Sequence, residues 1–161
     1  MNFELIRKDL QENGYTVVPN VLSKTQIEEL RKEFKNWRDN LPPSMTRIHG
    51  IYKRGQAGHQ RFMWLARIWL KKFWCNLLKT ERVVTSFDGA CYYEKSCKPN
   101  RNSWYHTDQA ATKKGWQTWQ GVLGLTTNIK SSLQLYPKSH KLHQEYSKLI
   151  IHDNKLKRQK F

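Results

Sequence analysis

The amino-acid sequence predicts an α+β fold, with helices in the first half of the chain and strands in the second. Apolar residues recur at helical spacing up to residue 79, whereas beyond residue 83 the chain changes to short β-branched and aromatic runs separated by Gly, Asn and Lys. This order is typical of an antiparallel sandwich or barrel that carries helices at its start. At 161 residues the chain has the length of one domain, which we place over residues 1–161.

Three helices are predicted in the first half. The first covers FELIRKDLQEN and ends at Gly14, a common helix stop. The second begins after Ser23, because Gln26 three residues later completes a capping box, and its apolar residues fall on one face until Pro42. The third covers residues 61–79, which are dense in Trp, Phe and Leu, so we expect a buried or half-buried helix.

Strands are predicted in the second half, where Val, Thr, Tyr and Phe cluster between turn residues. They cover residues 83–87, 91–94, 103–107, 118–126 and 132–136. A further short strand over residues 15–18 ends at Pro19, and the polar, aperiodic segment 44–60 is predicted to be a loop.

The chain is strongly basic, with 29 Lys and Arg against 13 Asp and Glu and a formal net charge of +16. Such a charge attracts phosphates, nucleic acid and acidic small molecules. The positive residues are spread from Arg7 to Lys160, and the sequence shows no helix with a basic stripe interleaved with aromatic residues. A solvated basic surface is therefore the favoured interpretation, and nucleic-acid binding is an alternative without a supporting motif.

Cysteine usage and the N-terminus predict an intracellular, non-secreted protein of the cytoplasm. Cys75, Cys91 and Cys97 are odd in number and lack a CxxC spacing, which indicates neither a disulfide framework nor a zinc knuckle. The first ten residues carry acids and bases without an apolar core, unlike a signal peptide. Charges interrupt the apolar stretch 62–78, so no membrane span is expected.

The candidate chemistry lies in WYHTDQ, residues 104–109, at the end of a predicted strand. Residues i and i+2 share one face of an extended chain, so His106 and Asp108 can direct an imidazole nitrogen and a carboxylate oxygen at one metal ion. A second histidine from a distant strand would complete a two-histidine, one-carboxylate Fe(II) site with open positions. An isolated His-x-Asp is more often part of an ordinary exposed loop.

Three segments of the second half are SFDGACYYEK, WYHTDQAATKKGWQTWQGVLGLTTN and LQLYPKSHKLHQEY, and the first half contains GYTVVPNVLSKTQIEELRKEF. In this order, over residues 14–147, they resemble the phytanoyl-CoA dioxygenase family of Fe(II) and 2-oxoglutarate-dependent dioxygenases. The specificity of the resemblance lies in the order of the pieces. It implies a double-stranded β-helix, or jelly roll, with helices packed on it.

The resemblance implies an oxidoreductase that uses Fe(II) and 2-oxoglutarate as cofactors to hydroxylate a small-molecule substrate. His106 and Asp108 match the first two iron ligands of the family, and no catalytic residue beyond the metal ligands is implied. Tyr92 and Gln120, on the strands that flank the motif, would line the cosubstrate pocket. A core position for Tyr92 and a backbone hydrogen bond for Gln120 are the competing interpretations.

The sequence also departs from the family. The distal histidine ligand and the arginine that grips 2-oxoglutarate follow the PxSH segment in the family, and neither is found here. We therefore expect a truncated domain without the last strands of the barrel, inactive alone, with self-association or a completing chain as partners. Structural roles are favoured for His140 and His143, and surface or substrate-contact roles for His49 and His59. By local pattern His152, with Arg158 shortly after it, is the better substitute for the missing ligand, but its spacing argues against that role.

Two further functions remain open beside the dioxygenase lineage. One is a non-catalytic basic binding module that keeps the scaffold without the metal. The other is the N-terminal piece of a split enzyme that a second polypeptide completes. The sequence alone leaves open whether the chain is an enzyme.

Overall fold

The computed structural model describes residues 1–45, 50–94, 106–128 and 133–158, with side chains described up to Ile150. Helices dominate the described part, and a two-stranded antiparallel sheet accompanies them. This mixture confirms the α+β class. The elements are α1 (Phe3–Asn13), α2 (Lys24–Asp39), β1 (Ile51–Tyr52), α3 (Arg54–Ala57), α4 (Arg61–Leu78), β2 (Ala90–Cys91), a 3-10 helix (Ser139–Leu142) and α5 (His143–Arg158).

The chain divides into two compact units, each made of segments that are distant in sequence. The first unit contains α2, α3, α4 and both strands, and the second contains α1, the 3-10 helix and α5. Apart from Met1, the segments of the first unit are Val18–Asn100 and Gly124–Ser132, and those of the second are Asn2–Val17, Arg101–Leu123 and Leu133–Phe161.

The core of the first unit is the packing of α2 against α4. The predicted capping box begins α2: Ser23 Oγ accepts from the Gln26 backbone N–H at 3.1 Å, and Gln26 Oε1 accepts from the Ser23 N–H at 2.9 Å. Leu30, only 1% exposed, lies on the apolar face that this start directs inward. Phe34 from the same face meets Phe62 of α4 edge to face, with ring centroids 5.3 Å apart.

The short sheet extends this aromatic core. Its strands pair Ile51 with Cys91 and Tyr52 with Ala90, and the Tyr92 N–H continues the pairing by donating to the Gly50 carbonyl at 2.9 Å. Tyr52 is buried, and its ring lies 5.0 Å from that of Trp37 in α2. The sheet is thus held to the helices by ring packing rather than by its own few hydrogen bonds.

In the second unit, the segment before α5 is tied to the end of α1. The helix ends at Gly14 with φ of 83°, as predicted, and a side chain at this position would collide with the His140 ring. Two carbonyls near the end of α1 have partners here: Lys138 N–H donates to Asn13 O at 2.7 Å, and His140 Nε2 lies 3.0 Å from Gln11 O. These contacts agree with the structural role predicted for His140.

Helices were predicted well and strands poorly. The three predicted helices correspond to α1, α2 and α4, whereas the segments 15–18, 83–87, 118–126 and 133–136 are coil, and 91–94 is a strand only at its start. The predicted loop 44–60 contains β1 and α3, and most of 103–107 lies outside the described residues. The physical reason is that a helix satisfies its backbone internally, whereas a strand needs a neighbour to supply its hydrogen bonds.

The helices of the described residues do not meet the requirements for crossing a membrane. Within this part of the chain, no helix combines the length and the apolar character that crossing a bilayer demands.

Replacing Leu30 by Ala should destabilise the first unit by about 2–5 kcal/mol, because the site is closed and a cavity would remain between α2 and α4. Leu5→Ala is the matched control, since Leu5 is also helical but 56% exposed and should change stability by less than about 0.5 kcal/mol. Urea unfolding followed by circular dichroism measures both. Equal losses in the two variants would contradict the packing described here.

Candidate functional site

The two predicted metal ligands lie in an exposed turn of the second unit. His106 and Asp108 are 52% and 47% exposed in their side chains, and His106 Nε2 lies 3.4 Å from Asp108 Oδ1. The chain has no strand here, so the extended i, i+2 geometry expected from the sequence is replaced by a bend. The two side chains nevertheless converge on one point of the surface.

The 3.4 Å separation is a direct contact between an imidazole nitrogen and a carboxylate oxygen, slightly long for a hydrogen bond. One imidazole nitrogen and one carboxylate oxygen are the donors that two-histidine, one-carboxylate Fe(II) sites share. Because both side chains are about half exposed, further ligands and water have access from one side.

Gln109 organises the turn that carries this pair. Its carboxamide accepts from the Gln117 backbone N–H at 2.9 Å and donates to the Gly115 carbonyl at 2.7 Å. Gly115 has φ of 68°, a conformation that most side chains avoid, and this lets the chain reverse beneath the amide. One side chain therefore joins the two arms of the turn beside Asp108. The sequence analysis did not predict this role for Gln109. The one indication in the sequence is that Gln109 directly follows the His-x-Asp pair.

The two predicted cosubstrate residues lie in different surroundings. Tyr92 belongs to the first unit, where the Arg38 guanidinium lies 4.3 Å from its ring centroid and Phe34 lies 6.0 Å away. A hydrogen bond to Asp39 raises the pKa of Arg38, so the cation beside the ring keeps its charge. Gln120 is exposed in a coil of the second unit. Tyr92 is half-buried, packed against the Phe34 ring and the Arg38 guanidinium, and its predicted role in a cosubstrate pocket stays a prediction.

A third ligand beside the pair is not supplied by the described residues, among which no group of three His, Cys, Asp or Glu side chains could hold an ion. His140 is engaged with α1 and packs 5.3 Å from Trp116, and His143 lies 3.5 Å from Ser147. His59 stacks on Phe87 in the first unit. His49 lies outside the described residues, and the side chains of His152 and Arg158 in α5 are also outside them.

Comparison with known proteins leaves the family open. No protein-family model matches the chain, and searches of curated proteins and of solved structures found no significant match.

Replacing Gln109 by Ala should open the turn, because both backbone arms lose their shared partner. We expect amide hydrogen exchange at Gln117 to accelerate by about tenfold, equivalent to about 1.4 kcal/mol, the net worth of roughly one hydrogen bond. Gln120→Ala is the control, since it removes the same carboxamide from an exposed neighbouring position. If Gln117 exchanged at the same rate in both variants, the bracing role of Gln109 would be wrong.

Proposed function

We propose that this chain carries the iron-binding turn of an Fe(II) and 2-oxoglutarate-dependent dioxygenase of the phytanoyl-CoA dioxygenase type. His106 and Asp108 would be two of the three protein ligands. The observation that supports the proposal is the 3.4 Å approach of an imidazole nitrogen to a carboxylate oxygen, on a turn that a neighbouring carboxamide braces. The order of family-like segments along the sequence supports it as well.

In this proposal, bound Fe(II) and 2-oxoglutarate supply the oxygen chemistry that hydroxylates a C–H bond of the substrate. His106 contributes a neutral imidazole donor, and Asp108 contributes a carboxylate whose negative charge offsets part of the charge of the ion. Gln109 joins the backbone at 115 and 117, and this would limit the movement of the turn that carries the pair when an ion binds. The basic surface would favour a substrate that carries phosphate or carboxylate groups.

The proposal includes an incomplete jelly roll. Apolar side chains of the predicted strands are exposed in the coil segments, with Val122 at 68% and Leu133 at 59% exposure. A partner layer, from a second polypeptide or a second copy of this chain, would cover them and provide backbone partners for the strands. Gln120 would line a cosubstrate pocket only in such a completed barrel.

Iron binding by the chain alone should be weak. The pair would provide two protein ligands, and the described residues form no group of three His, Cys, Asp or Glu side chains that could hold an ion. Two ligands are fewer than the three that such Fe(II) sites use, so we expect little or no turnover without a completing chain.

Anaerobic titration of the purified chain with Fe(II), with and without 2-oxoglutarate, tests this proposal. We expect a weak visible charge-transfer band that requires both additions, and we expect His106→Ala and Asp108→Ala each to weaken iron binding by more than about tenfold. His59→Ala is the control, because His59 lies in the other unit and packs on Phe87.

The outcomes separate the competing functions. A band that survives in both His106→Ala and Asp108→Ala would contradict the assignment of the ligands. A well-folded chain that gives no band at saturating Fe(II) and 2-oxoglutarate would contradict the iron site itself, and it would favour a scaffold that works without metal. Turnover that appears only after a second polypeptide is added would identify a split enzyme.

A further inference from the structure

The first unit exposes one face of α4 that combines aromatic, aliphatic and basic side chains. The exposed residues fall at helical spacing on one side: Arg61, Trp64, Ile68, Lys71 and Lys72. Trp64 and Ile68 are 45% and 63% exposed. In the sequence, charges interrupt an otherwise apolar stretch, and the burial of Phe62 on the opposite side shows that this face is a surface.

A second aromatic ring reaches this face from the coil that follows α4. Phe87 is 45% exposed and lies 6.4 Å from Trp64, with the two rings nearly perpendicular at 87°. His59 packs against Phe87 at a centroid distance of 4.3 Å. Trp64 and Phe87 therefore form a pair of partly exposed rings on this face.

Arg67 holds the two rings in place from below. Its guanidinium donates to the Gly58 carbonyl at 2.8 Å and to the Ser86 carbonyl at 3.2 Å, and its side chain is only 11% exposed. The guanidinium carbon lies 5.1 Å from the Trp64 ring centroid and 5.3 Å from that of Phe87. Because these contacts fix the helix to the coil, the exposed rings are ordered before any ligand arrives.

Basic side chains follow Trp64 along α4. Lys71 and Lys72 lie about 11–12 Å beyond Trp64 by the helical rise, and neither forms an ion pair with an acid of the described residues. Arg61 at the other end is paired with Glu29 and Glu33 at 3.4 Å and 3.3 Å. The uncompensated charge thus lies on the C-terminal side of Trp64, within a chain of net charge +16.

We propose that the face formed by Trp64, Ile68, Phe87, Lys71 and Lys72 binds single-stranded nucleic acid. Exposed rings stack on unpaired bases whatever their sequence, and nearby lysines neutralise the phosphates of the same strand. The base faces of a duplex are stacked and inaccessible, so exposed rings favour binding of a single strand. A lipid surface fits less well, because Ile68 is the only exposed aliphatic side chain of this face and the lysines follow within one turn.

This inference goes beyond the proposed dioxygenase lineage, and it depends on residues of the other compact unit. Loss of iron binding in His106→Ala would leave it untouched. The two proposals therefore fail independently.

Fluorescence anisotropy of a labelled 15-nucleotide oligothymidylate, titrated with the full chain at low and moderate salt, tests the face. We expect binding that weakens steeply with salt, and a loss of about 5- to 100-fold in affinity for Trp64→Ala. Trp116→Ala is the matched control, since Trp116 is 49% exposed but lies in the second unit. Trp64→Phe should retain most of the affinity, which separates loss of stacking from loss of folding.

Charge is tested in the same assay. Lys72→Ala should reduce the slope of log affinity against log salt. Lys32→Ala removes the same charge from an exposed position of α2 and should change the slope less. Absence of oligonucleotide binding at low salt, or equal weakening by Trp64→Ala and Trp116→Ala, would overturn the proposal. Binding of anionic phosphatidylserine vesicles that depends on Trp64, without oligonucleotide binding that does, would assign the face to a membrane surface instead.

Discussion

Backbone hydrogen bonding is the constraint on which the described part of the second half depends. The helices of the first half satisfy their own N–H and C=O groups, and they need only caps such as Ser23 with Gln26 at their ends. The described residues form a ladder of only two residue pairs, between β1 before α4 and β2 after it. Side chains therefore satisfy backbone groups that a sheet would otherwise pair: the Gln109 carboxamide bonds both arms of the turn, and the His140 ring contacts a carbonyl near the end of α1.

The same constraint explains why the candidate iron site lies on a turn. His106 and Asp108 lie outside the described strands, and the Gln109 side chain orders the backbone between 109 and 117. His106 and Asp108 contact each other directly beside this turn, and both side chains are about half exposed to water. The aromatic face of α4 is ordered differently, through a largely buried arginine that binds two carbonyls. Both surfaces are thus held by one polar side chain bonded to backbone groups.

The sequence predicted what depends on local patterns. Gly14 and the Ser23 capping box mark helix boundaries because the interactions involved span only a few residues. The strand predicted over residues 118–126 is coil in the structure. Alternating apolar residues favour a strand, but a strand forms only when a neighbouring strand supplies its hydrogen bonds. The sequence predicted His106 and Asp108 as a metal-binding pair on an extended strand; the structure places them in contact on a turn, and their role as metal ligands stays a prediction. The Gln109 hydrogen bonds were not predictable from the sequence, because they depend on how the chain reverses at Gly115. Likewise, the identity of α4 as a surface helix depends on which of its sides meets α2.

The claim that His106 and Asp108 act as one metal-binding pair is tested most directly by nuclear magnetic resonance of the histidine imidazoles, with Mn²⁺ added as a paramagnetic substitute for Fe²⁺. We predict that the His106 ring signals broaden first, at Mn²⁺ concentrations that leave those of His59 and His140 sharp. Asp108→Asn should remove this preference, because the amide replaces the carboxylate charge that attracts the ion. Equal broadening of all histidines, or selective broadening of His106 that persists in Asp108→Asn, would contradict the account.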